Sequence, residues 1–220
     1  MKKIYLLGGE GILKRDSEEI NKKALKDAGE SPIVLVFPWV EKLEKKSPYR
    51  ESLKEYLIYL GAKEVIFSEL EDSLESIKIK IKNSNLIYLP GGDQKILGKN
   101  LEKIKELLKN FKGVIIGNSA GALVLGQKFI YYPNYDLNKE EIISGLGLLD
   151  FSLIVHYKSK VPKFSWRTEE FIRELSIRIN SRIYAIPEKS ALIYSDRNIK
   201  KVGKVECFFN GKKFRSNLFD

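Results

Sequence analysis

Short apolar runs alternate along the first half of the chain with longer segments whose apolar residues recur every three or four positions. The first pattern is typical of buried strands and the second of amphipathic helices. The runs predict strands at residues 3–9, 33–37, 64–68, 86–89 and 113–116. The segments between them predict helices at residues 16–28, 48–60, 72–82 and 93–110.

This strand–helix alternation predicts an α/β fold. It implies a doubly wound, mostly parallel sheet with helices on both faces. The C-terminal part differs, because it contains short predicted strands at 182–186, 191–194, 205–209 and 212–214. Asn210-Gly211 favours an antiparallel hairpin between the last two. The irregular segment 127–146 is expected to form surface loops. With no internal repeat or linker, residues 1–220 are predicted to form a single domain.

Composition limits the function classes. Basic residues number 39 against 29 acidic ones, a net charge of +10, which raises the question of nucleic acid. Basic and acidic residues are interleaved, however, as in residues 41–46, and this is typical of solvated helix faces. Nucleic acid is therefore not expected as a partner, although the stretch from Lys200 to Arg215 is locally basic. No apolar stretch is long enough to cross a membrane, so no membrane association is expected.

The first nine residues read as a strand and not as a signal peptide. Cys207 is the only cysteine, which excludes an intrachain disulfide and fits a reducing, cytoplasmic location. Without a cluster of cysteine and histidine, no metal site is predicted, and no cofactor is expected. The oligomeric state, monomer or homodimer, is left open.

The most informative motif is Gly117-Asn118-Ser119-Ala120-Gly121, which follows the predicted strand 113–116. A G-x-S-x-G turn between a strand and a helix is typical of a nucleophile elbow, with the serine at its apex. Glycines are needed beside the serine if a side chain there would crowd the neighbouring strand or helix. The alternative is a glycine-rich turn in which Ser119 only caps the helix.

A serine nucleophile needs a base and a group that orients the base. His156 is the only histidine, and it follows the apolar run 151–155, so it is expected at a strand end. The alternative role is a structural histidine. Three carboxylates could orient it: Glu188, between two apolar strands, Asp136 and Asp150. Spacing along the chain does not choose among them.

Acyl transfer also requires hydrogen-bond donors for the oxyanion. The amide of Ala120, directly after the nucleophile, is one candidate. The turn Pro90-Gly91-Gly92-Asp93-Gln94 is expected to supply a second, because residues without side chains let the backbone approach the reacting group. The alternatives are a plain strand-to-helix turn capped by Asp93 and a phosphate-binding loop. The latter is weaker, because no Walker lysine is present.

Several segments in order resemble the serine peptidases that include dipeptidase E (alpha-aspartyl dipeptidase) and cyanophycinase. They are Gly8-Gly9, residues 90–94, residues 117–122, residues 145–149 leading to His156, and Pro187-Glu188. The resemblance implies a fold similar to class I glutamine amidotransferases, with serine in place of the nucleophilic cysteine. It further implies a Ser-His-Glu triad of Ser119, His156 and Glu188, with Asp136 as the alternative carboxylate.

The same resemblance implies that the amides of Gly92 and Ala120 form the oxyanion hole. Aspartyl dipeptidases use an arginine after the histidine to hold the acidic side chain of the substrate, and Arg167 is the candidate here. The chain departs from the family at Tyr157, where phenylalanine is usual. The arginine-rich stretch of cyanophycinases is only loosely matched by Lys158, Lys160, Lys163 and Arg167.

The residues and the resemblance together predict a serine peptidase that hydrolyses small peptides, such as Asp-Xaa dipeptides, without a metal or cofactor. Within enzymes, the alternatives are a cyanophycinase-like peptidase and another amidase or esterase on the same site. From another class, the alternative is a non-catalytic binding protein of amidotransferase-like fold that uses its basic C-terminal stretch.

Overall fold

The computed structural model describes residues 2–40, 43, 45 and 47–214. Most of the interleaved segment 41–46 and Arg215, the last residue of the basic stretch, lie outside the described residues. In the described part of the chain, the strands are β1 Lys3–Leu7, β2 Ile33–Val36, β3 Glu64–Phe67, β4 Leu86–Leu89, β5 Val114–Asn118, β6 Lys128–Tyr131, β7 Glu141–Ser144, β8 Ser152–Val155, β9 Ile183–Ile186, β10 Ala191–Ser195, β11 Asn198–Val202, β12 Glu206–Phe209 and β13 Lys212–Phe214. The helices are α1 Glu18–Ala28, α2 Pro48–Tyr59, α3 Leu74–Lys82, α4 Gln94–Leu101, α5 Lys105–Asn110, α6 Ala120–Leu123 and α7 Glu169–Arg178.

A seven-stranded central sheet has the order β11-β10-β1-β5-β4-β2-β3. Its strands β1 to β5 run parallel, whereas β10 and β11 pair antiparallel at one edge. Every residue of β4 and β5 is buried, as expected for central strands of a parallel sheet covered by helices. The predicted α/β fold with a mostly parallel sheet flanked by helices is confirmed.

A second sheet of four strands has the order β13-β12-β9-β8. Strands β12 and β13 form the predicted antiparallel hairpin around Asn210-Gly211, and β8 runs parallel to β9. The register of this parallel pair aligns Val155 with Ile186. The residues that follow these two strands, including His156 and Glu188, therefore leave the sheet side by side.

Three expectations need correction. Segment 127–146 is not all loop, because β6 and β7 pair antiparallel within it. The predicted helix 93–110 is interrupted by a tight turn at Glu102–Ile104, where the backbone of Ile104 leaves the helical region with φ −119°. Helix α7 was not predicted, although its buried residues Ile172 and Leu175 have helical spacing. Its N-cap residue, Thr168, accepts a hydrogen bond from the amide of Phe171.

Carboxyl ends of the parallel strands β1, β4 and β5 meet at one edge of the central sheet. Gly8-Gly9 follows β1, the turn 90–92 follows β4, and Ser119 follows β5. Ligand sites of open α/β sheets lie at this edge. None of the helices within the described ranges is both long and apolar enough to cross a membrane.

Candidate active site

Ser119 occupies a sharp turn between β5 and α6, and its backbone has φ 52° and ψ −107°. These angles lie outside the regions that a serine ordinarily adopts, and such strain is found mostly at functional sites. Neighbouring strands hold the turn. The Ser119 amide donates to the carbonyl of Leu7 in β1, and the Gly121 amide donates to the carbonyl of Pro90 after β4.

Both glycines of the motif lie where a side chain does not fit. A Cβ atom on Gly121 would lie 2.1 Å from the carbonyl oxygen of Leu89, and one on Gly117 would lie 2.6 Å from the carbonyl oxygen of Gly121. Backbone atoms cannot give way cheaply at such distances. The pattern G-x-S-x-G is therefore required by the packing of the turn against β4 and α6.

Ser119, His156 and Glu188 form a continuous chain of hydrogen bonds. The Ser119 Oγ lies 2.9 Å from His156 Nε2, and His156 Nδ1 lies 2.9 Å from Glu188 Oε1. Since an ionised carboxylate can only accept, this arrangement requires Nδ1 to carry the imidazole proton and donate it to Glu188. Nε2 is then free to accept the hydroxyl proton of Ser119.

The imidazole of His156 is fixed from several sides. Its backbone amide donates to the carbonyl of Gly8 at 2.7 Å, with the residue in a left-handed conformation at φ 51°. The ring of Phe164 stacks on it, with centroids 4.1 Å apart and planes 13° from parallel. Gly9 lies against the ring, because a Cβ atom there would fall 2.2 Å from His156 Cε1. The ring therefore has little freedom to leave Ser119.

Of the three carboxylates considered from the sequence, only Glu188 contacts His156. Asp136 instead accepts hydrogen bonds from the amide and side chain of Asn138, and Asp150 is exposed. Glu188 accepts a second hydrogen bond from the hydroxyl of Ser159, at 3.0 Å to the same Oε1. Nothing in the sequence pattern indicated this contact, because Ser159 lies in an irregular segment.

The surroundings set the charge state that proton transfer from Ser119 requires. Burial lowers the pKa of His156 below its ordinary value, although the hydrogen bond to Glu188 opposes this shift. Burial also tends to raise the pKa of Glu188, but the hydrogen bonds from His156 and Ser159 outweigh it and bring the pKa below its usual range. At neutral pH the imidazole is therefore neutral and the carboxylate ionised.

The backbone next to Ser119 is arranged around the same point. The Ala120 amide belongs to the first residue of α6, so no intrahelical acceptor is available to it. Gly91 packs directly on Ser119, because a Cβ atom there would lie 3.4 Å from Ser119 Cβ. Gly92, with φ 155°, lines the cleft together with Ser119. Both predicted oxyanion donors thus belong to the turns that border the hydroxyl.

Ser119 and His156 open into a cleft of about 550 Å³. Arg167 lines this cleft and is 8% exposed. Its guanidinium lies against the rings of Phe164 and Trp166, 4.4 and 4.7 Å from their centroids, and its Nη1 donates to the carbonyl of Val155 at 2.6 Å. Its buried Nε has no hydrogen-bond partner among the residues that the structure describes. Burial lowers the pKa of Arg167 to about 10, so it stays charged at neutral pH.

Cleft residues that the sequence analysis did not single out include Glu10 and Tyr49. The available signal for Glu10 was a carboxylate directly after the Gly8-Gly9 turn, at the carboxyl end of β1. Over the described ranges, no group of three or more histidine, cysteine, aspartate or glutamate side chains is arranged to hold a metal ion.

Known proteins resemble this chain over most of its length. An uncharacterized peptidase of Listeria monocytogenes is 26% identical over 178 residues, which cover 76% of this chain and 83% of the relative. An uncharacterized peptidase of Listeria innocua is 25% identical and covers 76% and 82%. The solved structure of a peptidase from an acI-B1 actinobacterium superposes with a TM-score of 0.73 at 21% identity, covering 97% of this chain and 93% of the other.

A putative peptidase E protein from Listeria monocytogenes EGD-e superposes with a TM-score of 0.67 at 21% identity, covering 91% of this chain and 98% of the other. At these identities the superpositions establish the fold, and the match to a family model establishes the family. Residues 4–202 match peptidase family S51 and include every candidate site residue named above. The chain therefore belongs to peptidase family S51 and is a peptidase.

Proposed function

We propose that this protein is a serine-type peptidase that hydrolyses small peptides through Ser119, His156 and Glu188. The observation that carries the proposal is the unbroken hydrogen-bond chain from the Ser119 hydroxyl through the imidazole to the carboxylate. Each member has the charge state that its role needs, since the lowered pKa of His156 keeps a neutral base at physiological pH. The lone cysteine, Cys207, is buried and free, which favours a cytoplasmic location.

In the proposed reaction, Ser119 Oγ attacks the carbonyl carbon of the scissile bond while its proton passes to His156 Nε2. The carbonyl oxygen becomes an oxyanion that the amides of Gly92 and Ala120 stabilise. The C–N bond then breaks, and the imidazolium donates its proton to the leaving amine. Water attacks the resulting acyl ester and gives a proton to His156. The bond from the acyl carbon to Ser119 Oγ then breaks, the imidazolium returns the proton to Oγ, and the carboxylic acid is released. Glu188 holds the imidazole in the required tautomer throughout.

For the substrate, we propose a peptide with an acidic first residue. Arg167 offers a buried cation in the cleft, and its unpartnered Nε leaves hydrogen-bonding capacity for a carboxylate. The rings of Phe164 and Trp166 lie against the guanidinium and hold it in the cleft. A dipeptide panel with Asp, Glu, Arg or a neutral first residue tests this, and an equal rate for all four would contradict it.

Substitution of the nucleophile tests the mechanism. We expect Ser119→Ala to lower kcat by roughly 10⁴–10⁶-fold while the protein stays folded, and to abolish labelling by a fluorophosphonate probe. Labelling of the folded wild type at Ser119 distinguishes an enzyme from a binding protein of the same fold. An unchanged rate in Ser119→Ala would exclude the proposal.

Two carboxylate variants form a matched pair for the third role. Glu188→Gln should lower kcat on the order of 10³–10⁴-fold, because the amide no longer enforces the imidazole tautomer. Asp136→Asn should leave the rate nearly unchanged, because Asp136 contacts Asn138 and not His156. The reverse result would assign the orienting role to Asp136.

A further inference from the structure

Among the described residues, two carboxylates, Asp93 and Glu10, line the cleft, and Asp93 already serves as the N-cap of α4. The proposed mechanism leaves Glu10 without a role. Glu10 follows β1 and the Gly8-Gly9 turn, and it lines the same cleft as Ser119 and His156. Its backbone amide donates to Asn118 Oδ1 at 3.0 Å. Because Asn118 directly precedes the nucleophile, this hydrogen bond fixes Glu10 relative to the reacting centre.

Neutral donors hold the Glu10 carboxylate in place. The Tyr56 hydroxyl donates to Oε1 and the Asn21 amide donates to Oε2, each at 2.7 Å. Among the residues that the structure describes, no lysine, arginine or histidine pairs with it. With the backbone of Ser17 as a further donor, the carboxylate still has capacity for another hydrogen bond, since a carboxylate accepts about four. The carboxylate is thus oriented but its charge is not neutralised.

This lack of a cation distinguishes Glu10 from Asp27 and Asp72, two other partly buried carboxylates. Asp27 pairs with Lys3 and Asp72 pairs with Lys80. Burial raises the pKa of Glu10 above its ordinary value, although the hydrogen bonds from Tyr56 and Asn21 oppose this shift. A desolvated carboxylate without a counter-ion is costly, and a cation that binds beside it removes part of that cost.

The neighbouring side chain suits a cation as well. The half-buried ring of Tyr49 lines the same cleft. Burial is the main cause of the raised pKa of the Tyr49 hydroxyl, and the negative charge of Glu10 is the second cause. Aromatic faces attract ammonium and guanidinium groups. Arg167, which lines the same cleft, carries the opposite charge. The cleft therefore offers separate partners for an anionic and a cationic group of one ligand.

We propose that Glu10, together with Tyr49, forms a subsite that binds a cationic group of the peptide substrate. The group is an ammonium or guanidinium, supplied either by the free amino terminus or by a lysine or arginine side chain. This subsite rests on the proposed peptidase function and adds to it a requirement for positive charge. Glu10 acts in recognition and takes no part in bond making or breaking.

The variant Glu10→Gln tests the subsite, because it removes the charge and keeps the size. Asn21 can accommodate it, since within the described ranges Asn21 Oδ1 has no hydrogen-bond partner and a flipped amide would accept a hydrogen bond from the new side chain. Glu19→Gln is the matched control, because Glu19 lies at the exposed start of α1 with its side chain 88% exposed. Melting temperatures should show that both variants fold.

The substrates are Asp-Arg, Asp-Lys and Asp-Leu, each free and N-acetylated, with kcat/KM as the readout. We expect Glu10→Gln to lower kcat/KM roughly 10–100-fold for peptides that carry the recognised cation, and not for their uncharged counterparts. A loss confined to the free peptides identifies the amino terminus. A loss confined to Asp-Arg and Asp-Lys identifies the side chain. Equal losses on all peptides, or no loss on any, would overturn the subsite.

Binding measurements separate this subsite from the proposed reaction. Calorimetric titration of the same peptides into Ser119→Ala and into Ser119→Ala/Glu10→Gln reports recognition without hydrolysis. If wild type hydrolyses none of the peptides but the double variant still binds the cationic ones roughly 10-fold more weakly than Ser119→Ala, the subsite stands and the peptidase proposal fails. If wild type hydrolyses them and both variants bind equally, the subsite fails alone.

Discussion

The contact between Gly9 and the imidazole of His156 yields a sharp prediction for Gly9→Ala. A Cβ atom at this position would lie 2.2 Å from Cε1, 2.6 Å from Nδ1 and 2.8 Å from Nε2 of His156. Carbon atoms pack at about 3.5–4.0 Å, so the ring must move by more than about 1 Å. Phe164, stacked on the ring, opposes that movement. The added methyl group therefore separates the imidazole from Ser119 or Glu188.

Displacement of a reacting group by about 1 Å costs on the order of 10²-fold in rate. We expect Gly9→Ala to lower both kcat/KM and the rate of fluorophosphonate labelling by at least about 10²-fold. The backbone contributes separately to stability, because Gly9 has φ 126°, which L-residues rarely adopt. This strain should lower the free energy of unfolding by roughly 1–3 kcal/mol.

Gly29→Ala separates these two effects. Gly29 has nearly the same φ, 129°, but nothing lies within 4 Å of the position of its added Cβ. It should reproduce the loss of stability seen in Gly9→Ala and leave labelling and peptide hydrolysis unchanged. Thermal unfolding and labelling kinetics of the two variants are compared with wild type. If Gly9→Ala labels as fast as Gly29→Ala, the imidazole is not held by this contact and the reasoning is wrong.

Other predictions concern the same site. The lowered pKa of His156 means that kcat/KM should rise with pH through a midpoint below the ordinary value of 6.5, as the base loses its proton; a midpoint above 6.5 would contradict the effect of burial. Ser159→Ala removes one of the hydrogen bonds to Glu188, so kcat/KM should fall about 10-fold and the midpoint should move to higher pH, whereas Ser165→Ala, in an exposed turn, should do neither. Gly121→Ala places a methyl group 2.1 Å from a backbone oxygen of β4, and calorimetry should show a clear drop in Tm; an unchanged Tm would mean that the turn can relax.

Apolar runs in the sequence were sufficient to predict the five parallel strands of the central sheet. The run at 33–37 became Ile33–Val36, and the run at 86–89 became Leu86–Leu89, because strands buried on both faces carry little besides apolar residues. Edge strands lack this signal. Strand β11 contains Lys200 and Lys201 and pairs only with β10, so its composition resembles a loop. Strands β6 and β7 were not predicted either. They form a two-stranded sheet of their own, and a long connection separates them along the chain.

Within the candidate site, local motifs were predictable and long-range contacts were not. Ser119 and the glycines beside it lie within one pentapeptide, so their spacing predicts a sharp strand-to-helix turn with a serine at its apex. The choice of Glu188 over Asp136 depends on the parallel register of β8 and β9, which spacing does not encode. The environment of Glu10 depends still more on tertiary structure, because its partners Asn21 and Tyr56 belong to two different helices, α1 and α2.

The members of the hydrogen-bond chain belong to different sheets. Ser119 is carried by β5 of the central sheet, whereas His156 and the segment with Glu188 leave neighbouring strands of the smaller sheet. A shift of one sheet against the other would therefore separate the hydroxyl from the imidazole. The amide of His156, bonded to the carbonyl of Gly8, bridges this seam. Heat or denaturant that weakens the contact between the two sheets should abolish peptidase activity before either sheet unfolds. Lost activity would then be an early sign of unfolding.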